Sequence, residues 1–267
     1  MLVHPQFDPY IFQIGPIGPS WYGFMYLLGF ATFWYLGRLR AKRENSFIQP
    51  DQVGDYLFYA VIGVILGGRI GSVLFYNFNR FLDDPIYLVR IWEGGMSFHG
   101  GLIGVLVVTW LYQRKYNWGF FRLADFIAPI VPPGLFFGRI GNFINGELWG
   151  RETDVPWGMV FPQAGDALVR HPSQLYQAFF EGLVLFLILW IYSAKPRTTG
   201  SISGLFLIFY GLFRFMMECV REPDGHLGFI AFDWLTMGQL LSLPMIAAGL
   251  LLIWLANKGM FEKEIKT

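Results

Sequence analysis

The chain has 267 residues, of which 54% are hydrophobic and only 15% are charged, and its formal net charge is +1. A soluble domain usually has about a quarter of its residues charged, so this composition favours a membrane protein. A net charge so close to zero does not point to a nucleic-acid partner. The single cysteine, Cys219, excludes an intramolecular disulfide and any metal site built from spaced cysteines.

Seven apolar stretches are predicted to span a membrane, which takes about 20 mainly apolar residues. They cover residues 20–38, 55–76, 95–113, 122–143, 174–193, 201–219 and 236–257. The fourth stretch is the weakest, because it holds Pro129, Pro132, Pro133 and Arg139, and we expect a bent helix there. The sequence therefore predicts an all-α polytopic membrane protein, one integral domain over residues 1–267, in which residues 144–173 form a small extracytoplasmic subdomain.

Basic residues predict the orientation, since they collect in cytoplasmic loops. Twelve fall on one side of the predicted membrane: Arg38, Arg40, Lys42, Arg43, Arg114, Lys115, Arg122, Lys195, Arg197, Lys258, Lys263 and Lys266. Five fall on the other side: Arg80, Arg90, Arg151, Arg170 and Arg221. We therefore expect the N-terminus and residues 144–173 outside and the C-terminus in the cytoplasm. The N-terminal residues lack the features of a cleaved signal peptide, so the first span is expected to serve as the insertion signal.

Three arginines lie inside predicted spans, where each charge costs at least ~2.5 kcal/mol. Arg214 has Glu218 one helical turn further along, on the same face. The acidic residue in the span of Arg69 is Asp55, 14 positions away at the other end of that span, so Arg69 has no acidic residue near it in its own span. Such arginines either form structural ion pairs or bind a phosphate, whose oxygens match the guanidinium fork. We favour a phosphate site for Arg139 and Arg214 and a link between helices for Arg69.

Depth along the spans indicates that four polar side chains, Tyr22, His99, Arg139 and Arg214, gather in the outer half of the membrane. His99 is flanked by glycines at positions 94, 95, 100 and 101, which allow close approach of a ligand or tight packing of helices. Imidazole, with an ordinary pKa of about 6.5, acts as a base at neutral pH. The alternative is that His99 is only a helix cap or an interface residue.

The strongest indication of a functional site is the run from Gly138 to Arg151. It contains Gly, Asn, Glu and Arg residues where the fourth span leaves the membrane. This composition suits a polar pocket with exposed backbone donors. An ordinary loop at a helix exit would explain the glycines, but it would not explain Arg139 and Asn142.

Two motifs carry a resemblance to a known family: residues 95–104 (Gly-Met-Ser-Phe-His-Gly-Gly-Leu-Ile-Gly) and the run 138–151. Residues 21–23, 67–71, 170–176 and 210–214, together with Glu218, support it. On these residues the chain closely resembles the bacterial prolipoprotein diacylglyceryl transferases over essentially its whole length.

The resemblance implies transfer of the diacylglyceryl group of phosphatidylglycerol to the lipobox cysteine of a prolipoprotein signal peptide. The expected products are a thioether-linked lipid and glycerol 1-phosphate, in the first step of lipoprotein maturation. It also implies a multi-pass protein of the bacterial inner membrane, surrounded by membrane lipids, with its site facing the periplasm and without metal or cofactor. The site residues that it implies are Tyr22, His99, Arg139, Asn142, Glu147, Gly150, Tyr210, Arg214 and Glu218.

Within this reaction, His99 is the best candidate for the base that takes the thiol proton. We predict that Arg139 holds the phosphate and Arg214 stabilises the leaving group, although the two roles could equally be exchanged. Two other functions stay open at this point. A transporter would show internal repeats and polar residues reaching the cytoplasmic half. A non-catalytic lipid-binding scaffold would leave His99 and the 138–151 run without a role.

Overall fold

The computed structural model describes residues 2–15, 18–44, 46–223, 228, 230–231 and 234–262, so Lys263 and Lys266 of the orientation prediction lie outside the described residues. The α-helices are α1 (Trp21–Ala41), α2 (Pro50–Tyr76), α3 (Phe78–Asp83), α4 (Phe98–Tyr116), α5 (Phe120–Ile127), α6 (Pro132–Asn145), α7 (Ser173–Gln177), α8 (Leu185–Tyr192), α9 (Ser201–Glu218) and α10 (Met237–Asn257). Short 3-10 helices cover Pro85–Val89, Ile91–Glu93, Ala128–Ile130 and Pro162–Ala164, and a π-helix, Ala178–Val184, joins α7 to α8.

A small sheet accompanies the helices, with strands β1 (Leu2–Val3), β2 (Met159–Val160) and β3 (Val169–Arg170) in the order β1-β2-β3. β1 runs parallel to β2, and β2 runs antiparallel to β3. The prediction of an all-α chain is therefore correct for most of the fold and wrong in omitting this sheet. Strands of two residues are too short to show an alternating pattern in the sequence.

Four of the described helical segments are long and apolar enough to cross a membrane: α2, Ser173–Tyr192, α9 and α10. The pair Phe120–Ile130 and Pro132–Asn145, bent by 45°, adds a fifth if it is one broken span. This finding supports a membrane protein. α1 and α4 cover the first and third predicted spans but are not among these segments, so the total of seven stays a prediction.

The bend predicted for the fourth span is confirmed, and proline explains it. α6 begins at Pro132, directly after the 3-10 turn Ala128–Ile130 that contains Pro129. Proline has no N–H to continue the hydrogen bonds of the preceding helix, whereas its fixed φ suits the first turn of a new one.

The described residues form two compact units. One holds the residues up to Leu36 and those from Asp125 onward, and the other holds Gly37–Ala124. In the second unit, glycines let the backbones of α2 and α4 approach closely. A Cβ at Gly67 would collide with the carbonyl oxygen of Gly100, and one at Gly104 would collide with that of Gly63. The packing interpretation of the glycines is therefore confirmed for these helices.

Arg69 also belongs to the second unit, where it is buried. Its guanidinium donates to the carbonyl oxygens of Tyr87, Leu88, Gly94 and Gly95, at 3.0 Å for Leu88 and 3.3 Å for Gly95. It also lies 4.3 Å from the centre of the Tyr87 ring. These contacts satisfy the buried charge with backbone dipoles and fasten α2 to the segment that precedes α4.

In the first unit, small residues bring α6, the π-helix, α9 and α10 close together. A Cβ at Gly182 would lie 2.6 Å from Cβ of Phe136, and one at Gly204 would lie 2.9 Å from the carbonyl oxygen of Gly249. The apolar core of this region contains Ala128, Leu185, Leu189, Ile202 and Phe213. This close packing fixes the helices that carry the polar side chains described next.

Candidate functional site

The centre of the site is a carboxylate between two arginines. Glu181 in the π-helix is fully buried. Its Oε2 lies 3.3 Å from Nη2 of Arg139 on α6, and its Oε1 lies 3.8 Å from Nη1 of Arg214 on α9. The arginine side chains are 20% and 16% exposed. Arg139 and Arg214, the two arginines predicted to form a phosphate site, are therefore brought together. The acid between them, Glu181, was not among the predicted site residues.

Glu218 holds Arg214 from the other side. Its Oε1 lies 2.5 Å from Nη2 of Arg214 and 3.1 Å from Nη1 of Arg221. Its Oε2 accepts a hydrogen bond of 2.7 Å from the hydroxyl of Thr236. Arg214 therefore pairs with Glu218, the acid one helical turn further along, as the ion-pair alternative described. Arg221 and Thr236 are additional partners of Glu218. Arg214 is thus fixed between two carboxylates, which restricts its guanidinium to one orientation.

The end of the 138–151 run docks onto the end of α9. Arg151 donates from Nη2 to the carbonyl of Glu218 at 3.1 Å and from Nε to that of Arg221 at 2.9 Å. The Gly150 N–H donates to the carbonyl of His171 at 2.8 Å. A Cβ at Gly150 would lie 2.6 Å from the carbonyl oxygens of both His171 and Val220, so only glycine fits. In this structure Gly150 allows the close approach that positions Arg151.

His171, whose carbonyl accepts the hydrogen bond from Gly150, lies outside the apolar spans. Burial lowers the pKa of His171, partly offset by the charge of Asp154. Its Nδ1 lies 3.3 Å from the hydroxyl of Tyr176. His171 is therefore mainly neutral near pH 7 and serves the structure through its backbone carbonyl.

The C-terminal turn of α6 forms a second polar group of side chains. Asn142 donates to Glu147 Oε1 at 2.8 Å, and Asn145 donates to the same oxygen at 3.3 Å. A Cβ at Gly141 would lie 2.9 Å from Cδ2 of Tyr22 on α1, so this glycine makes room for the tyrosine ring. Three predicted residues, Tyr22, Asn142 and Glu147, therefore lie around one helix end.

Tyr210 lies on α9 one turn before Arg214. It lies near Glu181, Arg214, Arg139 and Glu218. Its ring stacks on Phe206, with the ring centres 5.7 Å apart. The predicted site residues of the first unit therefore gather around the arginines or around the end of α6.

His99 is the one predicted site residue outside this unit. It is the second residue of α4, in the second unit. The preceding Ser97 caps the helix by accepting a hydrogen bond of 3.2 Å from the N–H of Gly100. The capping role is thus filled by Ser97, and the catalytic role of His99 stays a proposal.

A signal for Glu181 existed in the sequence, because it is a lone acid within the apolar stretch 174–193. The free-energy cost of an acidic side chain within a membrane is comparable to that of an arginine, so Glu181 could have been selected on the same ground as the arginines. Thr236 had no such signal, since its partner Glu218 is reached through the tertiary fold. Arg221 follows Glu218 by three residues, so local spacing could have indicated that pair.

Thr236 offers a test of how far the site depends on its supporting contacts. Its hydroxyl donates to Glu218 and accepts from the N–H of Gln239 at 3.3 Å as the N-cap of α10. We expect Thr236→Val to lose both bonds and to destabilise the protein by about 1–3 kcal/mol. Thermal unfolding in detergent measures this loss, with Thr236→Ser as the control that keeps the hydroxyl. Equal unfolding midpoints for the valine variant and the wild type would contradict the prediction.

The helices and this cluster define a helical membrane protein with a partly buried group of arginines and carboxylates. A family model described as "Prolipoprotein diacylglyceryl transferase" matches residues 9–255. The chain belongs to this family.

Curated relatives agree over nearly the full length. The phosphatidylglycerol–prolipoprotein diacylglyceryl transferase of Solidesulfovibrio magneticus is 59% identical over 255 residues, which cover 95% of this chain and 96% of the relative. The protein of the same name from Oleidesulfovibrio alaskensis is 54% identical over 267 residues and covers 100% of both chains. That from Legionella pneumophila strain Lens is 53% identical over 254 residues, covering 95% of this chain and 99% of the relative.

Proposed function

We propose that this chain transfers the diacylglyceryl group of phosphatidylglycerol to the lipobox cysteine of prolipoproteins and releases glycerol 1-phosphate. The observation that carries the proposal is the meeting of Arg139 and Arg214 at Glu181, in a family whose relatives are named for this transfer. The reaction is the first step of lipoprotein maturation. Neither a transporter nor a scaffold is favoured by a specific contact among the described residues.

The chemistry is a displacement at carbon. The thiolate sulfur of the acceptor cysteine attacks the glycerol carbon that is bonded to the phosphate oxygen. A C–S bond forms as the C–O bond breaks, and the electron pair leaves on the phosphate oxygen. The thiol proton goes to a base, for which we propose His99. The diacylglyceryl group ends as a thioether, and the departing glycerol 1-phosphate carries an additional negative charge.

The arginines supply the electrostatic part of this mechanism. Arg139 holds the headgroup phosphate, and Arg214 stabilises the charge that develops on the leaving oxygen. Only contacts that strengthen as this charge develops raise the rate. A guanidinium held by Glu218 and Glu181 is already oriented, so little free energy is lost in reorganising it during the reaction.

We also propose which residues bind the lipid: Tyr22, Arg139, Asn142, Glu147, Gly150, Tyr210, Arg214 and Glu218. The chain forms one integral domain with seven spans, in which α1 and α4 are counted as spanning. Residues 144–173 and the N-terminus face the periplasm, as does the site, and the C-terminus lies in the cytoplasm.

The proposed function is tested by mass spectrometry. Purified protein is incubated with phosphatidylglycerol and a lipobox peptide, and the expected product is the peptide with a diacylglyceryl group on its cysteine. A peptide with its cysteine replaced by serine is the control. Binding of the lipid without this product would favour the scaffold.

The proposed base has a test of its own. We expect His99→Gln to lower the transfer rate by about 100-fold or more, as for loss of a general base. The residual rate should rise with pH as the thiol, with an ordinary pKa of about 8.5, ionises without help. The neighbouring Phe98→Leu, on the same helical turn, is the control. A glutamine variant with the wild-type rate and pH profile would exclude His99 as the base.

A further inference from the structure

The helical face that carries Glu181 also carries two buried glutamines. Gln174 and Gln177 are 0% and 1% exposed, and Glu181 is 0% exposed. Gln174 and Gln177 are three positions apart on α7, and Glu181 follows four positions later in the π-helix. Because all three side chains are buried, they form a polar stripe on the buried side of this segment. A stripe of this kind is unusual in a segment that is apolar enough to cross a membrane.

The two ends of the stripe touch the site already described. Gln174 donates from Nε2 to the carbonyl of Glu147 at 2.7 Å, and Glu181 pairs with Arg139 and Arg214. Gln177 lies between these two contacts, one turn before Glu181. The stripe therefore runs along the site, from the end of α6 to the arginine pair.

Several polar atoms of this stripe have no hydrogen-bond partner among the described residues. Both amide atoms of Gln177 lack a hydrogen-bond partner within the described part of the chain, and so does Oε1 of Gln174. Buried polar atoms are normally paired, because leaving them unpaired costs free energy that an apolar side chain would not. A leucine at position 177 would avoid that cost, so the amide indicates a polar ligand.

We infer that Gln177 binds the hydroxyl groups of the lipid headgroup, beside the phosphate held by Arg139 and Arg214. The inference rests on the proposed function and adds to it a residue that selects the glycerol headgroup. An amide offers both donors and acceptors, and a hydroxyl both donates and accepts, so the two groups can satisfy each other. An ammonium headgroup could only donate, and it would bring a positive charge towards two guanidinium groups.

A site built to bind a hydroxyl discriminates strongly against an analogue without it, because its own polar groups are then left unpaired. The wild type should therefore transfer from phosphatidylglycerol at least tenfold more efficiently than from phosphatidylpropanol, which has the same phosphate and chain length but no headgroup hydroxyl. Gln177→Leu should lower the rate with phosphatidylglycerol and bring the ratio of the two kcat/KM values close to one. It should also raise the thermal midpoint, since it removes two unpaired buried atoms.

The experiment measures kcat/KM for both lipids and the thermal midpoint for the wild type, Gln177→Leu and the control Gln113→Leu on α4. No transfer by the wild type would overturn the proposed function itself. Transfer by the wild type with the same lipid preference in Gln177→Leu would overturn only the inference. If Gln177→Leu does not fold, kcat/KM for both lipids and the thermal midpoint are measured for Gln177→Met instead. A Gln177→Met variant with the wild-type lipid preference would also overturn the inference.

Discussion

Arg214→Ala should lower kcat/KM for diacylglyceryl transfer by about 100- to 1,000-fold, the usual cost of removing one group that stabilises developing negative charge. Arg214 lies between Glu218 at 2.5 Å and Glu181 at 3.8 Å, so its guanidinium is oriented before lipid binds. Initial rates with a lipobox peptide and phosphatidylglycerol measure the effect. The control is Arg197→Ala, which removes an exposed arginine that donates to the carbonyl of Tyr192.

Arg214→Lys separates the shape of the side chain from its charge. An ammonium group cannot reproduce the two-oxygen geometry of the guanidinium fork, so most of the activity should be lost although the charge remains. A lysine variant with full activity would show that charge alone suffices at this position and would contradict the role given to the fork.

Parts of the site that depend on local sequence were predictable. Arg214 and Glu218 are four residues apart on one helix, so helical geometry alone brings them together. The bend before Pro132 follows in the same way, because proline acts on the turn in which it lies. In both cases the physical cause is contained within a few neighbouring residues.

Parts that depend on tertiary packing were not predictable. Glu181 is 42 positions from Arg139, and only the packing of α6 on the π-helix makes them partners. The strand pairing of Leu2 with Met159 is another long-range contact, and it involves too few residues to leave a pattern. The resemblance to a family selected residues at the site, but it did not supply the acid that joins them.

The π-helix itself contributes to the position of Glu181. A π turn inserts an additional residue into a helix, which changes the direction of the side chains in that turn, and such turns are frequent at functional sites. Here the turn lies at Ala178–Val184, between α7 and α8, and directs Glu181 towards α6 and α9. Gly182 in the same turn lets Phe136 approach, so the local backbone and the packing of α6 act together.

Glu181→Gln should destabilise the resting protein by about 1–3 kcal/mol, because it removes the carboxylate beside Arg139 and one of the two beside Arg214 and keeps the volume of the side chain. Phosphatidylglycerol should offset part of this loss, since its phosphate can replace the missing negative charge between Arg139 and Arg214. The rise in thermal midpoint on adding phosphatidylglycerol should therefore be larger for the variant than for the wild type. Phosphatidylcholine, whose phosphate carries a neutralising ammonium group, should produce a smaller rise.

The same substitution should change kcat and KM in a specific direction. Without the carboxylate, both arginines can bind the ground-state phosphate more tightly, so KM for phosphatidylglycerol should fall. The rate should fall as well, because the guanidinium of Arg214 is no longer held where charge develops on the leaving oxygen. Glu152→Gln makes the same chemical change at an exposed position and is the control. A Glu181→Gln variant with wild-type stability and an unchanged response to phosphatidylglycerol would show that this carboxylate does not hold the two arginines ready for a phosphate.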